Sequence, residues 1–158
     1  MNGKIKVIIA DDVKVIAETN KRIAMNNQDI EVVGMASNGK EEFDMILNLK
    51  PDLVITDNKM PIMNGIEVIE KIKSFKIENK PEFVLVTGDN DIELNKKCKE
   101  LNVFGVLNKL SLERDLPYII DEYIEIRNES NKEVKKENNR KQNGILKKIL
   151  KKLKKEYK

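Results

Sequence analysis

Five short aliphatic runs alternate with helical patterns along this chain, and that alternation constrains the fold more than any other feature. The runs are Ile5–Ala10, Ile30–Met35, Leu53–Thr56, Phe83–Val86 and Val103–Asn108. Continuous runs rich in Val and Ile, rather than polar–apolar alternation, read as strands buried on both faces, which is the pattern of a parallel sheet. Between them the apolar residues fall at helical spacing: Val13, Ile16, Ala17, Ile23 and Ala24; then Phe43, Ile46 and Leu47; then Ile66, Val68, Ile69 and Ile72. The segment Asp91–Leu101 reads as a more polar helix. Ser111 and Asp115 are candidate N-caps for a last helix reaching about Arg127, with Pro117 expected in its first turn. Five βα units predict an α/β fold, a doubly wound five-stranded parallel sheet with helices on both faces.

Polar residues cap four of the runs. Asp11 and Asp12 follow the first, Asp57 the third, Thr87 the fourth and Lys109 the fifth. In open α/β sheets, ligands bind beyond the carboxyl ends of the strands. One fold would therefore gather three carboxylates, a hydroxyl and an amine into one pocket. Such a set suits a divalent cation and a phosphoryl group. Taken singly, each residue has a plainer explanation, such as an Asp turn or a solvated lysine. Their joint placement at four strand ends makes the plainer explanations improbable together.

Composition narrows the chemistry. The chain has 158 residues and no histidine, so no His-based triad and no His metal ligand exists in it. Phosphohistidine chemistry would need a partner to supply the imidazole. One cysteine, Cys98, excludes an internal disulfide and, in a Lys-rich helical pattern, reads as a structural thiol. Neither a leader nor a bilayer-length apolar stretch is legible, so the expected location is cytoplasmic.

The net charge of +3 hides a split: residues 128–158 hold 12 Lys and Arg against 4 Asp and Glu, and residues 1–127 hold 18 against 23. An acidic domain over 1–127 is thus expected to precede a basic linker and short amphipathic helical tail over 128–158, with no second globular domain; residues 128–144 read as a linker or a solvated helix extension. In that tail Ile145, Ile149, Leu153 and Tyr157 recur every four residues, with Leu146 and Leu150 beside them. The tail reads as a solvated or self-packed helix, an anionic-membrane anchor or a nucleic-acid contact.

With Asp11-Asp12, Asp57 followed by Met60-Pro61 and Gly65, Thr87-Gly88 and Lys109 in place, residues 4–127 resemble the receiver domain of two-component response regulators, of chemotaxis or sporulation type. The resemblance implies a flavodoxin-like fold and a phosphorelay role. Asp57 would be the phosphoacceptor. Mg²⁺ would be held by Asp11, Asp12, Asp57 and the backbone carbonyl of Lys59, and Lys109 and Thr87 would contact the phosphoryl oxygens. The implied donor is a histidine kinase or a histidine phosphotransfer protein. Output would pass by protein–protein contact through the face around the fourth helix, fifth strand and fifth helix; the output partner and homodimerisation stay open. The resemblance implies a signalling domain rather than an enzyme with an external substrate.

The chain departs from the family's usual pattern in three places. Leu110 stands where a proline usually follows the lysine, Val106 where a Tyr or Phe usually sits, and Asn58 where an apolar residue usually follows the acceptor. Two other patterns lead nowhere. Gly34–Lys40 nearly spells a phosphate-binding loop, but Glu41 replaces the needed Ser or Thr. Asp57-Asn58-Lys59 lacks the second aspartate of aspartyl-phosphatase enzymes.

Overall fold

The computed structural model describes residues 3–88 and 91–156. Its elements in chain order are β1 (Ile5–Ala10), α1 (Lys14–Met25), β2 (Ile30–Ala36), α2 (Gly39–Leu49), β3 (Leu53–Asp57), α3 (Gly65–Ser74), β4 (Glu82–Thr87), α4 (Ile92–Glu100), β5 (Gly105–Asn108) and α5 (Leu112–Glu156), with a short 3₁₀ turn at Lys109–Ser111. The expected α/β architecture is present: five parallel strands in the order β2-β1-β3-β4-β5. The order reverses between β1 and β3, and this switch point opens a crevice at the carboxyl edge.

Burial explains why the central strands are continuous aliphatic runs. Val7, Ile8 and Ile9 of β1, Leu53, Val54 and Ile55 of β3, and Phe83, Val84 and Leu85 of β4 are essentially inaccessible, so both faces of the sheet are covered. On one face Ile8, Val54, Phe83 and Leu85 pack with Phe43 and Ile46 of α2, Val68, Ile69 and Ile72 of α3, and Cys98 of α4. At roughly 25 cal/mol per Å² of buried apolar surface, this is the dominant stabilising contribution. At β5, a β-carbon on Gly105 would lie 1.9 Å from Ile119 Cδ1, so the Ile119 side chain packs directly over the glycine and would have to shift for any larger residue.

Side chains cap three of the helices, while Asp115, a candidate cap of the last helix, lies inside α5 beside Arg114. Asn38 Oδ1 accepts from Glu41 N, Asn64 Oδ1 from Glu67 N, and Asp91 Oδ1 from Glu93 N.

Of the two readings of residues 128–144, the structure has the helix extension. The chain divides into two compact units, Met1–Ile119 and Ile120–Lys158. Helix α5 does not stop near Arg127 but continues through 128–144 to Glu156. Apart from Val134 that stretch lacks large apolar residues, yet Lys and Glu, which are good helix formers, supply seven of its 17 residues. Pro117 lies in the second turn rather than the first. Tyr157 falls outside the described residues. No described helix is long and apolar enough to cross a membrane.

Candidate functional site

The site is built where β1, β3, β4 and β5 end. The register pairs Ala10 with Thr56, Asp57 with Val86 and Thr87 with Asn108, so the next residues out of each strand share one edge. Asp11, Asp12 and Asp57 come together there: one carboxylate oxygen from each lies within 4.8 Å of the others. Asp11 and Asp57 are buried and Asp12 is exposed. Asp11 is fixed by its own backbone, donating from N to Ala36 O at 3.0 Å, while its Oδ1 accepts from Val13 N at 2.8 Å. Burial pushes the Asp11 carboxyl above its ordinary range. The Val13 hydrogen bond opposes this, and the charge of Asp57 adds to it.

Lys109 closes the cluster. Its Nζ donates to Asp57 Oδ2 at 2.8 Å, across 52 residues of sequence. Burial alone would lower the Lys109 pKa, but the Asp57 hydrogen bond and charge, with Asp11 and Asp12, hold it above the ordinary value. The missing proline after Lys109 does not displace it. Asn108 Oδ1 accepts from Leu110 N at 2.9 Å and starts the 3₁₀ turn, so a side-chain cap turns the chain at once. The Lys109–Leu110 peptide bond is trans. Thr87 ends β4 as a buried hydroxyl, and next to it a β-carbon on Gly88 would lie 4.0 Å from the Lys109 stem.

Asp57 Oδ1 is buried with no hydrogen-bond partner, although Oδ2 is paired. A buried carboxylate oxygen left this way is costly, and it marks a place where an ion or a new bond is expected. Beside it an open depression of about 550 Å³ is lined by Asp12, Asn58, Lys59, Met60, Asn64 and Asp91. A second cavity, about 480 Å³ and lined in part by Lys50, Pro51 and Asp52, sits at the amino edge of β3, away from the carboxylates.

Two features escaped the sequence reading. Asn58 holds the start of α3: its Oδ1 accepts from Ile66 N at 3.1 Å and its carbonyl from Gly65 N at 3.0 Å. The second is a buried pair under the strand end. Glu42 is fully inaccessible, and its Oε2 accepts from Thr56 Oγ1 at 3.0 Å. Thr56 Oγ1 also lies 3.1 Å from the carbonyl of Asp57. The signal for this pair was Thr56 itself, a hydroxyl inside an otherwise aliphatic run that needs a buried partner.

Gly65 permits the tight exit from β3. A β-carbon there would stand 2.5 Å from Asp57 O and 3.2 Å from Asn58 Cα, both backbone atoms that cannot swing away. Gly65→Ala is therefore expected to lower stability by about 1–3 kcal/mol, read as a lower urea midpoint at unchanged slope. An unchanged midpoint would show that the exit tolerates a side chain.

Comparison with known proteins agrees with this geometry. The family model described as the response regulator receiver domain matches residues 7–121. Protein-glutamate methylesterase/protein-glutamine glutaminase of Clostridium acetobutylicum is 30% identical over 122 residues, covering 77% of this chain and 35% of that protein. The protein of the same description from Methanococcus maripaludis is 39% identical over 74 residues, 47% of this chain and 20% of that one. The chain thus spans about a third or less of the length of these curated relatives. Among solved structures, the response regulator domain of Thermotoga maritima CheB aligns with a TM-score of 0.64 at 24% identity, covering 77% of this chain and 92% of that one. The receiver domain of AraT, a response regulator from Geobacillus stearothermophilus, aligns with a TM-score of 0.65 at 26% identity, covering 78% and 98%.

Proposed function

Because this chain belongs to the response regulator receiver domain family, we propose that Asp57 accepts a phosphoryl group from a phosphohistidine on a partner histidine kinase or phosphotransfer protein, and that the domain then signals by protein–protein contact. The single observation that carries this reading is Asp57 itself: buried at a strand end, one oxygen held by Lys109 and the other unpartnered. A carboxylate oxygen of Asp57 would form the new P–O bond as the P–N bond to the donor imidazole breaks. The bonding electron pair leaves on the imidazole nitrogen. The product is an acyl phosphate.

Two anions must approach for this step. Lys109, already paired with Asp57, would pair with the incoming phosphoryl oxygens, and the Thr87 hydroxyl would donate to one of them. The donor set also fits Mg²⁺, a hard cation that takes a few carboxylates and keeps sites for water and phosphate. Asp11, Asp12 and Asp57 would hold it, with the Lys59 carbonyl as a fourth donor. When bound, the ion supplies charge neutralisation for the transferring group. With no histidine of its own, the chain depends on a partner for the phosphoimidazole.

Incubation with acetyl phosphate and Mg²⁺ is expected to add one phosphate by intact mass. Asp57→Asn or excess EDTA should abolish the addition. Undiminished labelling of Asp57→Asn would overturn the assignment.

A further inference from the structure

Residues 145–156 consist of Ile, Leu, Lys and a single Glu. The structure makes them helical within α5. At about 100° per residue, Ile145, Leu146, Ile149, Leu150 and Leu153 fall within an arc of about 140°. Lys147, Lys148, Lys151, Lys152, Lys154 and Lys155 fill the remaining arc without interruption. The five apolar side chains are 45–57% exposed. Gly144, a weak helix former, stands immediately before the segment. The result is an aliphatic stripe from Ile145 to Leu153 bordered on both sides by lysines, with Glu156 closing its carboxyl end.

Charge decides what can cover such a stripe. The same stripe of a second copy would bring the bordering lysines against one another, with only Glu156 of the segment to answer them. The stripe also spans fewer than the three or four heptads that sustain a coiled coil. Nucleic acid would satisfy the lysines but not the aliphatic residues, and the segment holds no Arg, Asn or Gln to read base edges. An anionic bilayer surface answers both faces: acyl chains take the Ile and Leu side chains, headgroup phosphates take the ammonium groups, and the bordering lysines reach outward along their stems.

We infer that residues 145–156 dock on anionic lipid surfaces, lying in the plane of the interface with the Ile and Leu stripe inserted. This inference stands apart from the phosphoacceptor assignment and survives or fails without it. The test uses the full chain sedimented with vesicles of phosphatidylcholine alone or mixed with phosphatidylglycerol. Binding to the mixed vesicles is expected to exceed binding to the neutral ones by about tenfold or more and to weaken with salt. Leu150→Glu, which places a charge on the stripe, should abolish it. Circular dichroism and acetyl phosphate labelling of the variant serve as controls that the chain still folds. Equal binding to both vesicle types, or full binding by Leu150→Glu, would overturn the inference. So would the absence of lipid binding; a dimer in solution that Leu150→Glu dissolves, or tight binding to duplex DNA, would then name the occupant instead.

Discussion

Replacing Glu42 by glutamine is expected to flatten a fall in stability that the buried carboxyl should impose on the wild-type protein between pH 5 and 8. Burial pushes the Glu42 carboxyl from 4.5 up to about 8, with the Thr56 hydrogen bond only partly opposing it. The folded state therefore keeps a proton on Glu42 at neutral pH, while the unfolded chain loses it above about 4.5. Where the folded state binds more protons, stability falls as pH rises. The contribution of Glu42 is thus fully present below about 4.5, declines as pH rises toward 8, and is gone above it. At about 1.4 kcal/mol per pH unit, that gap is worth roughly 5 kcal/mol. Glutamine keeps an acceptor for Thr56 Oγ1 and cannot titrate. It should cost a little at pH 5, where its extra N–H groups lack partners, and stabilise at pH 9. Urea unfolding of both proteins across that range reads the difference. Parallel curves would mean that Glu42 carries no proton in the folded state.

Lys109→Ala is expected to make the acidic cluster depend on a divalent cation. In EDTA the variant leaves Asp57, whose side chain is 1% exposed, without its cation and beside Asp11 and Asp12. Removing one partner of a buried pair costs about 3–5 kcal/mol, and the one-third exposure of Lys109 reduces this to about 2 kcal/mol. A ligand that binds only the folded state raises stability by mass action. Mg²⁺ should therefore raise the melting temperature of the wild type, raise that of Lys109→Ala by more, and barely move that of Asp12→Ala. Equal gains in all three would indicate general screening rather than a site at these carboxylates.

How much of this was legible in the sequence follows from the physics of each element. The strands were readable because both of their faces are buried, so the apolar run itself marks the strand, and the first polar residue marks its carboxyl end. Asp11 and Thr87 are the first polar residues after their runs, and Asp57 and Lys109 follow one polar residue, Thr56 and Asn108, so all four were found at strand ends before any contact among them was visible. The fifth strand begins at Gly105 rather than Val103, since Val103 and Phe104 are apolar residues of the preceding loop. The join between the expected last helix and the tail was hidden because residues 128–144 have helix-forming residues but no apolar stripe to mark them. Glu42 was invisible because Glu41-Glu42 at a helix start reads as two solvated charges near the helix dipole. Only three-dimensional packing turns the second of them inward onto Thr56. Asn58 was noticed as a departure, but its service to Ile66 N depends on the turn between β3 and α3, which no local pattern specifies.

The most direct measurement is the position of the phosphoryl bond. Borohydride reduces an acyl phosphate to an alcohol and leaves free carboxylates untouched, so a phosphorylated aspartate becomes homoserine. After labelling with acetyl phosphate and Mg²⁺, reduction and peptide mass mapping should place homoserine at position 57 and nowhere else. Homoserine at position 11 or 12, or a phosphorylated chain that yields none at 57, would contradict the account.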